Sequence, residues 1–267
     1  MLQQAVDFRE ESAALHALLA PLDEAALARP TLFKAWTVDD VIGHLHVFNE
    51  AAALSLTDRD GFAAMSADLQ RRRDAGASLR EATTDLLDGL AGRALLAAWH
   101  AGCAQTAACF AEAEPKARVP WYGPEMSVLS SITARLMETW AHGQAVYDML
   151  GVVRTDADRI RNIAVLGVNT FGWTFVNRGE TVPETKPYLR LTAPSGTLWE
   201  WNEPSESEAI EGAATEFCQV VTQTRNIADT GLRVRGPVAT RWMAVAQCFA
   251  GPPQEPPAPG TRHRVGA

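Results

Sequence analysis

The stretch RLMETWAHG, residues 135–143, places a carboxylate and an imidazole four residues apart inside a helical pattern. Positions i and i+4 of a helix lie on one face, so Glu138 and His142 can converge on one point. An alternative is a hydrogen-bonded pair on a solvated helix face. The neighbours Leu136 and Trp140 are apolar, however, and a buried carboxylate needs a partner. The pair therefore favours a metal site, which a third ligand from another helix would complete with one coordination position left open.

Two upstream histidines are candidates for the third ligand. His44 and His46 lie about 200° apart around a helix, so they cannot both face the same point. The face that carries His44 is the more apolar one, with Val41, Val47, Phe48 and Ala51. The residues alone leave two interpretations of His44 open, a metal ligand or a hydrogen-bonded core histidine, and they favour a surface role for His46.

Apolar periodicity predicts four long helices within residues 1–151. The second begins after Thr37, an N-cap residue type that is followed by two aspartates. The third covers about 79–110, and the fourth starts at Ser127 and ends at Gly151. Four such helices predict an antiparallel four-helix bundle, whose core is a usual place for a metal site.

Residues 152–250 predict a smaller α+β domain. One helix covers about 156–177, and residues 188–201 alternate around a Pro-Ser-Gly turn in the manner of a β-hairpin. Ser205 and Glu208 match a capping box, which predicts a further helix from that point. A short strand and a last helix complete the domain.

The final segment, residues 251–267, is rich in proline and poor in apolar side chains. Such a segment cannot bury enough apolar surface to offset the loss of chain entropy, so we expect it to be disordered. The chain as a whole is expected to belong to the α+β class, with a bundle over residues 1–151 and a small domain over residues 152–250.

The composition disfavours several classes of function. A formal net charge of -8 argues against nucleic-acid binding, because a phosphate-binding surface needs concentrated lysine and arginine. The chain has no apolar run long enough to span a bilayer, and its N-terminus lacks the basic and apolar regions of a signal peptide. We therefore expect a cytoplasmic protein that does not enter a membrane. The 4 cysteines have no Cys-x-x-Cys spacing and are expected to remain thiols.

Four segments together carry a family resemblance. The stretch WTVDDVIGHL, residues 36–45, with residues 135–143, is similar to the metal-binding domain of mycothiol-dependent maleylpyruvate isomerases, within the wider DinB-like superfamily. The segments VPWYGPEMS, residues 119–127, and LTAPSGTLW, residues 191–199, resemble an actinobacterial branch of that group, known as metal-binding proteins. The spacing from Trp-Thr to histidine in this resemblance selects His44 as the third ligand.

The resemblance implies a DinB-like four-helix bundle that binds a divalent metal through His44, Glu138 and His142, and zinc is the expected metal. It implies a small sterol-carrier-protein-like α/β domain after the bundle, and mycothiol as a possible cofactor. It also implies an arginine in the C-terminal domain that takes part in catalysis. The arginines considered for this role are Arg225, Arg233, Arg235 and Arg241, of which the last three are our candidates.

Three functions are consistent with these features. The leading hypothesis is an enzyme that uses a low-molecular-weight thiol, held by the metal as a thiolate, for S-transfer or cis–trans isomerisation of a small electrophilic substrate. A metal-dependent hydrolase or lyase without a thiol, and a non-catalytic metal-binding protein, are the alternatives. Trp121 and Tyr122, in a proline-bounded loop before the ligand helix, either line the cofactor cleft or pack over the end of the bundle. The sequence is consistent with either a monomer or a homodimer.

Overall fold

The computed structural model describes residues 1–262 and divides the chain into two compact units, Met1–Val146 and Tyr147–Ala267. The last five residues of the predicted disordered tail, 263–267, lie outside the described part of the chain. None of the helices in residues 1–262 combines the length and the apolar content that a membrane crossing requires. The first unit contains helices and one very short hairpin, and the second adds a sheet, which confirms the expected α+β class.

Seven helices belong to or begin in the first unit. They are α1 (Gln3–Leu19), α2 (Glu24–Leu27), α3 (Val38–Thr57), α4 (Arg59–Asp74), α5 (Leu79–Leu86), α6 (Gly92–Ala111) and α7 (Val128–Leu150). Helix α6 packs against both α1 and α3. The indole rings of Trp99 on α6 and Trp140 on α7 are fully buried, and each contributes roughly 2 to 3 kcal/mol of apolar burial to the unit.

Helix α7 lies close to α1 and α3. A Cβ atom at Gly143 would lie only 3.3 Å from the Cδ atoms of Leu15 on α1, so a glycine at this position permits the close approach. On the side of α3, the Nε of Arg135 donates a hydrogen bond of 3.2 Å to the Oδ1 of Asn49. The four longest helices, α1, α3, α6 and α7, thus share one interior, and two of them carry the predicted ligands.

The predicted third helix is interrupted. The chain forms α5, leaves the helical conformation, and resumes as α6. Asp88, Gly89 and Gly92 have φ angles of 49°, 82° and 59°, which lie in the left-handed region. A right-handed helix cannot continue through such residues, so the single predicted helix becomes two.

A two-stranded hairpin precedes α7. Strands β1 (Arg118–Val119) and β2 (Met126–Ser127) pair antiparallel, with Val119 opposite Met126. The hairpin holds Trp121 and Tyr122 in its loop. The hydroxyl of Ser127 then accepts a hydrogen bond of 3.0 Å from the backbone N–H of Ser130, which confirms that the helix starts there.

The second unit contains a four-stranded sheet. Its strands are β3 (Tyr188–Thr192), β4 (Leu198–Trp201), β5 (Ala209–Ala213) and β6 (Arg233–Arg235), in the order β4-β3-β5-β6. Strands β3 and β5 run parallel, and the other neighbours are antiparallel. The hairpin predicted for residues 188–201 is confirmed, with Leu191 opposite Trp199. The helices of this unit are α8 (Arg161–Asn169), α9 (Phe171–Asn177), α10 (Ala214–Val221) and α11 (Pro237–Val245).

Three predictions for this unit differ from the structure. The single helix predicted for about 156–177 is replaced by a short 3-10 turn, α8 and α9, with a break at Thr170 between the two helices. The prediction of a helix directly after Ser205 is wrong for its first residues, because the chain first forms β5 and then α10. Residues 251–262, for which composition predicts disorder, form no helix or strand but hydrogen-bond to the rest of the unit. The carbonyl of Gln254 accepts from the Nε2 of Gln223 at 3.0 Å, and the carbonyl of Pro257 accepts from the Nδ2 of Asn226 at 2.8 Å. Composition does not reveal partners of this kind.

Candidate metal centre

The candidate ligands lie on two helices whose starts are well defined. His44 is on α3, which begins with a capping box: the hydroxyl of Thr37 accepts from the N–H of Asp40 at 3.0 Å, and the carboxylate of Asp40 accepts from the N–H of Thr37 at 2.8 Å. This arrangement confirms the predicted N-cap. Glu138 and His142 lie one turn apart on α7. The fixed helix start gives His44 a defined position along α3.

The three predicted ligands converge. One ligand atom from each of His44, Glu138 and His142 lies within 4.8 Å of the other two, and this is the single group of three such side chains found in residues 1–262. The Oε2 of Glu138 is 3.5 Å from the Nε2 of His44 and 3.1 Å from the Nε2 of His142. Ligand atoms at zinc bond lengths in a tetrahedral arrangement are about 3.3 Å apart. The donor types and their spacing therefore fit a divalent metal such as zinc.

Burial and hydrogen bonding set the charges of these side chains. Burial lowers the pKa of His44 from its ordinary value of 6.5 to about 4. Burial acts to raise the pKa of Glu138, but hydrogen bonds to His142 and His44 and the positive charges nearby hold it well below its ordinary value. At neutral pH the site thus presents a carboxylate and a neutral imidazole on His44, which are the protonation states that metal binding requires.

Aromatic rings surround the two histidines. The rings of Phe33 and Trp36 lie 5.0 and 5.8 Å from the ring of His142, and the Trp36 ring is 5.4 Å from that of His44. Phe48, one turn after His44 on α3, is 4.7 Å from the His44 ring. The Nδ1 of His44 has no hydrogen-bond partner within the described chain, so ring packing rather than a second hydrogen bond orients this imidazole.

A closed loop presents Phe33 and Trp36 to the histidines. Pro30 and Thr37 form an isolated antiparallel bridge, and the N–H of Thr31 donates to the carbonyl of Trp36 at 2.7 Å. Between them the chain turns through two residues in the left-handed region. Such conformations are unfavourable for residues other than glycine and concentrate at sites where a side chain must be held in place.

Trp121 and Tyr122 pack together near the start of the ligand helix. The Trp121 ring lies 6.1 Å from that of Phe62 on α4 and 6.4 Å from that of Phe48. The ring of Tyr122 is 5.5 Å from each of these two phenylalanines, and burial raises the pKa of its hydroxyl to about 12. Both residues therefore contact Phe48, which in turn contacts the His44 ring. Their role in cofactor binding stays a prediction.

Within residues 1–262, the other three histidines lie apart from the convergent group. His46 is half-buried on α3, and burial lowers its pKa. The ring of His100 on α6 stacks on that of His16 on α1, with centroids 3.7 Å apart and an interplanar angle of 8°. His100 thus has an aromatic partner of its own.

The four arginines considered in the C-terminal part each pair with a carboxylate of the second unit. The guanidinium of Arg225 donates two hydrogen bonds, of 2.6 and 2.7 Å, to Asp148. The remaining three are more exposed and pair with Glu211 in the case of Arg233 and Arg235 and with Glu180 in the case of Arg241. A catalytic role for Arg233, Arg235 or Arg241 stays a prediction.

The sequence assigned no role at this site to Phe33, Asn49 or Arg135, and Trp36 served only as the start of the motif that selects His44. A usable signal existed for Arg135, which lies three residues before Glu138 and hence on the same helix face. Phe33 reaches the site through a loop, and loop residues carry no periodicity from which their position could be predicted.

A family profile and two relatives match more than half of this chain. The sequence profile described as the mycothiol maleylpyruvate isomerase N-terminal domain matches residues 8–147, which include all three candidate ligands. Two uncharacterised proteins of Mycobacterium tuberculosis, from strains CDC 1551 and H37Rv, are each 36% identical over 92% of this chain and 95% of their own length.

Solved structures show the same fold at lower sequence identity. The crystal structure of a mycothiol-dependent maleylpyruvate isomerase superposes with a TM-score of 0.51 and 16% identity, covering 82% of this chain and 87% of the isomerase. A histidine-to-alanine mutant of that isomerase gives a TM-score of 0.50. The profile match, which covers more than half of the chain, confirms the resemblance, and the chain belongs to the family of the mycothiol maleylpyruvate isomerase N-terminal domain.

Proposed function

We propose that the chain binds a divalent metal ion through the Nε2 atoms of His44 and His142 and the carboxylate of Glu138. Zinc is the metal that we expect. The observation that carries the proposal is the convergence of these three donors at distances of 3.1 and 3.5 Å from one carboxylate oxygen. Two imidazoles and one carboxylate are the ligand set of many catalytic zinc sites, which keep a further position for water or substrate.

We further propose that a small thiol such as mycothiol occupies that open position, and that the protein is an S-transferase or a cis–trans isomerase for a small electrophile. Family membership supports this assignment. When bound as a thiolate, the thiol supplies a nucleophile that can add to a conjugated double bond and leave after rotation, or stay attached to the electrophile. The charge of the site supports the same assignment, because two neutral imidazoles and one carboxylate leave a divalent ion with a net positive charge that favours an anionic ligand.

The residues of the chain have separable roles in this proposal. His44 and His142 hold the metal while staying neutral, and burial keeps His44 unprotonated at neutral pH. The carboxylate of Glu138 offsets one of the two positive charges of a divalent ion. The rings of Phe33, Trp36 and Phe48 exclude water from the imidazoles, and a lower local dielectric strengthens the attraction between the metal and a thiolate.

The test is a measurement of metal content followed by a thiol assay. Purified protein should contain about one zinc per chain by mass spectrometry. With mycothiol and a series of electrophiles, S-transfer would consume the thiol, whereas isomerisation would convert a cis-configured substrate without thiol loss. Turnover that is independent of any thiol would instead favour a hydrolase or lyase. Absence of metal after zinc supplementation would contradict the whole assignment.

A further inference from the structure

Arg135 is a buried cation next to the metal centre. The residue is only 3% exposed and lies on the same face of α7 as Glu138, one turn earlier. Its guanidinium carbon lies 5.9 Å from the centre of the Phe48 ring and 6.0 Å from that of the Trp121 ring. The two ring centres are 6.4 Å from each other, so the guanidinium lies beside an adjacent pair of aromatic rings, one from α3 and one from the β1–β2 loop.

One nitrogen of this guanidinium has a hydrogen-bond partner, and another has none. The Nε donates to the Oδ1 of Asn49 at 3.2 Å, and the amide of Asn49 is fixed in turn because its Nδ2 donates to the Sγ of Cys103 at 3.4 Å. The Nη2 of Arg135 is buried and has no hydrogen-bond partner in residues 1–262. Buried donors are nearly always paired, and an unpaired charged donor is among the most costly groups to bury. A donor left open beside a candidate ligand site points to a ligand that pairs with it.

The charges of the region show which kind of ligand fits. Without a metal, the carboxylate of Glu138 balances the guanidinium of Arg135, and the attraction between the two is among the causes of the lowered pKa of Glu138. When Glu138 coordinates a divalent ion, the ion, the carboxylate and the guanidinium together carry two positive charges. One anionic ligand on the metal still leaves one buried positive charge, on Arg135, uncompensated.

We propose that Arg135 binds a carboxylate of the small molecule that reacts at the metal centre, and thereby selects carboxylic acids as substrates. The inference rests on the metal and thiol chemistry of the proposed function and adds a specificity-determining residue within the first unit. Arginine is suited to this task because its planar guanidinium pairs with carboxylates through directional, charge-assisted hydrogen bonds.

We assign the β1–β2 loop as the route of access to Arg135, because its aromatic pair is the most exposed part of the surroundings of the guanidinium. Trp121, whose ring centre lies 6.0 Å from the guanidinium carbon, is itself only partly buried, and Tyr122 beside it is 37% exposed. This aromatic pair belongs to a loop between two strands of two residues each, so few backbone hydrogen bonds hold it in place. In the proposal, a shift of the Trp121 ring would open a path for a carboxylate to the Nη2. In this proposal, the aromatic pair that was predicted to line a binding cleft covers the carboxylate subsite.

The experiment uses cobalt-loaded full-length protein and two matched probes, 3-mercaptopropionate and 3-mercaptopropionamide. The two thiols have the same length and differ in the charge of the end group. Binding is followed through the charge-transfer absorption of a thiolate on cobalt. Wild-type protein should bind the carboxylate probe roughly 10- to 100-fold more tightly than the amide, the range expected for a charge-assisted hydrogen bond. In Arg135→Gln this preference should disappear, while the affinity for the amide stays within about twofold.

Arg71→Gln is the matched control, because it removes the same charge from a side chain that is 71% exposed. It should keep the full preference. Arg135→Lys retains the charge without the planar pair of donors and should keep a reduced preference, and it replaces Arg135→Gln if that variant does not fold. Equal affinities of wild-type protein for the two probes would overturn the inference without any variant, as would an undiminished preference in Arg135→Gln. Failure of both thiols to give the absorption would instead contradict the proposed function as well.

Discussion

The Nε2 of His142 lies 3.1 Å from the Oε2 of Glu138 one helical turn earlier, and the same oxygen is 3.5 Å from the Nε2 of His44 on another helix. A single carboxylate oxygen therefore joins two imidazoles that are 98 residues apart in sequence. The arrangement has a local part, set by the periodicity of α7, and a non-local part, set by the packing of α3 against α7. Different substitutions test these two parts separately.

Glu138→Gln tests whether the carboxylate is a ligand. The substitution preserves the shape of the side chain and removes its charge, and a neutral amide is a poor ligand for zinc. Loss of an outer-shell partner of a metal ligand already lowers metal affinity by about 10- to 100-fold, so loss of a direct ligand should lower it by at least roughly 100-fold. Competition with a chromophoric chelator gives the affinity. Unchanged affinity would remove Glu138 from the ligand set.

Alanine substitutions test the two histidines against a control. His44→Ala and His142→Ala should each remove most of the bound metal, because two protein ligands hold zinc far less tightly than three. His46→Ala is the matched control on α3, since His46 is half-buried and outside the convergent group. It should retain the metal content of wild-type protein. A similar loss in all three variants would indicate general unfolding, which circular dichroism would detect.

The burial of His44 predicts how the stability of metal-free protein depends on pH. Its pKa is about 4 in the folded chain and 6.5 ordinarily, so the unfolded chain binds more protons between these values. Stability is therefore complete above pH 6.5 and falls as the pH decreases towards 4, by about 1.4 kcal/mol per pH unit for one group. The lowered pKa of Glu138 has the same sign but acts below its ordinary value of 4.5.

Urea unfolding of chelator-treated protein between pH 6.5 and 4.5 measures this slope. His16 and His46, whose pKa values burial also lowers, add to the total. The effect of His44 is therefore the difference between wild-type protein and His44→Asn, which cannot take up a proton in this range. Parallel slopes for the two proteins would show that His44 is protonated in the folded chain as readily as in the unfolded chain.

The local part of the site could be predicted from the sequence, and much of its surroundings could not. The period of a helix places Glu138 and His142 on one face, and the apolar neighbours of His44 indicate its burial, whereas the family resemblance was needed to select His44 as the third candidate ligand. Asn49 shares the less apolar face of α3 with His46, yet it is 1% exposed. Other helices pack on that face as well, and a single helix does not reveal how many neighbours enclose it.

The prediction of a helix directly after Ser205 was wrong for a similar reason. The local signal was real, since the N–H of Glu208 donates to the hydroxyl of Ser205 at 3.1 Å. The carboxylate of Glu208, however, accepts from the N–H groups of Val238 and Ala239 at 3.2 and 2.8 Å, at the start of α11. The next residues, Ala209–Ala213, pair with β3. These partners are non-local in sequence, and their contribution exceeds the weak local preference for a helix.

The position of the Glu208 carboxylate leads to a prediction about Gly236, the residue just before α11. Gly236 has φ 90° and ψ 156°, a combination essentially confined to glycine. A Cβ atom there would lie 2.1 Å from the carbonyl oxygen of Ser207 and 2.4 Å from the Cδ of Glu208. Gly236→Ala should therefore displace both the strand end and the carboxylate that caps α11, and should lower the free energy of unfolding by more than about 3 kcal/mol.

Gly179→Ala gives the cost of a side chain at a positive-φ glycine that has no close neighbour. Gly179 has a φ of 70° in the same unit, but a Cβ atom at this position would meet nothing within 4 Å. Its substitution should cost only about 1 to 2 kcal/mol, the penalty of a left-handed conformation for a residue with a side chain. Urea unfolding of both variants gives the comparison. Equal losses would mean that backbone conformation alone explains the need for glycine at position 236, and that the approach of Ser207 and Glu208 adds nothing to it.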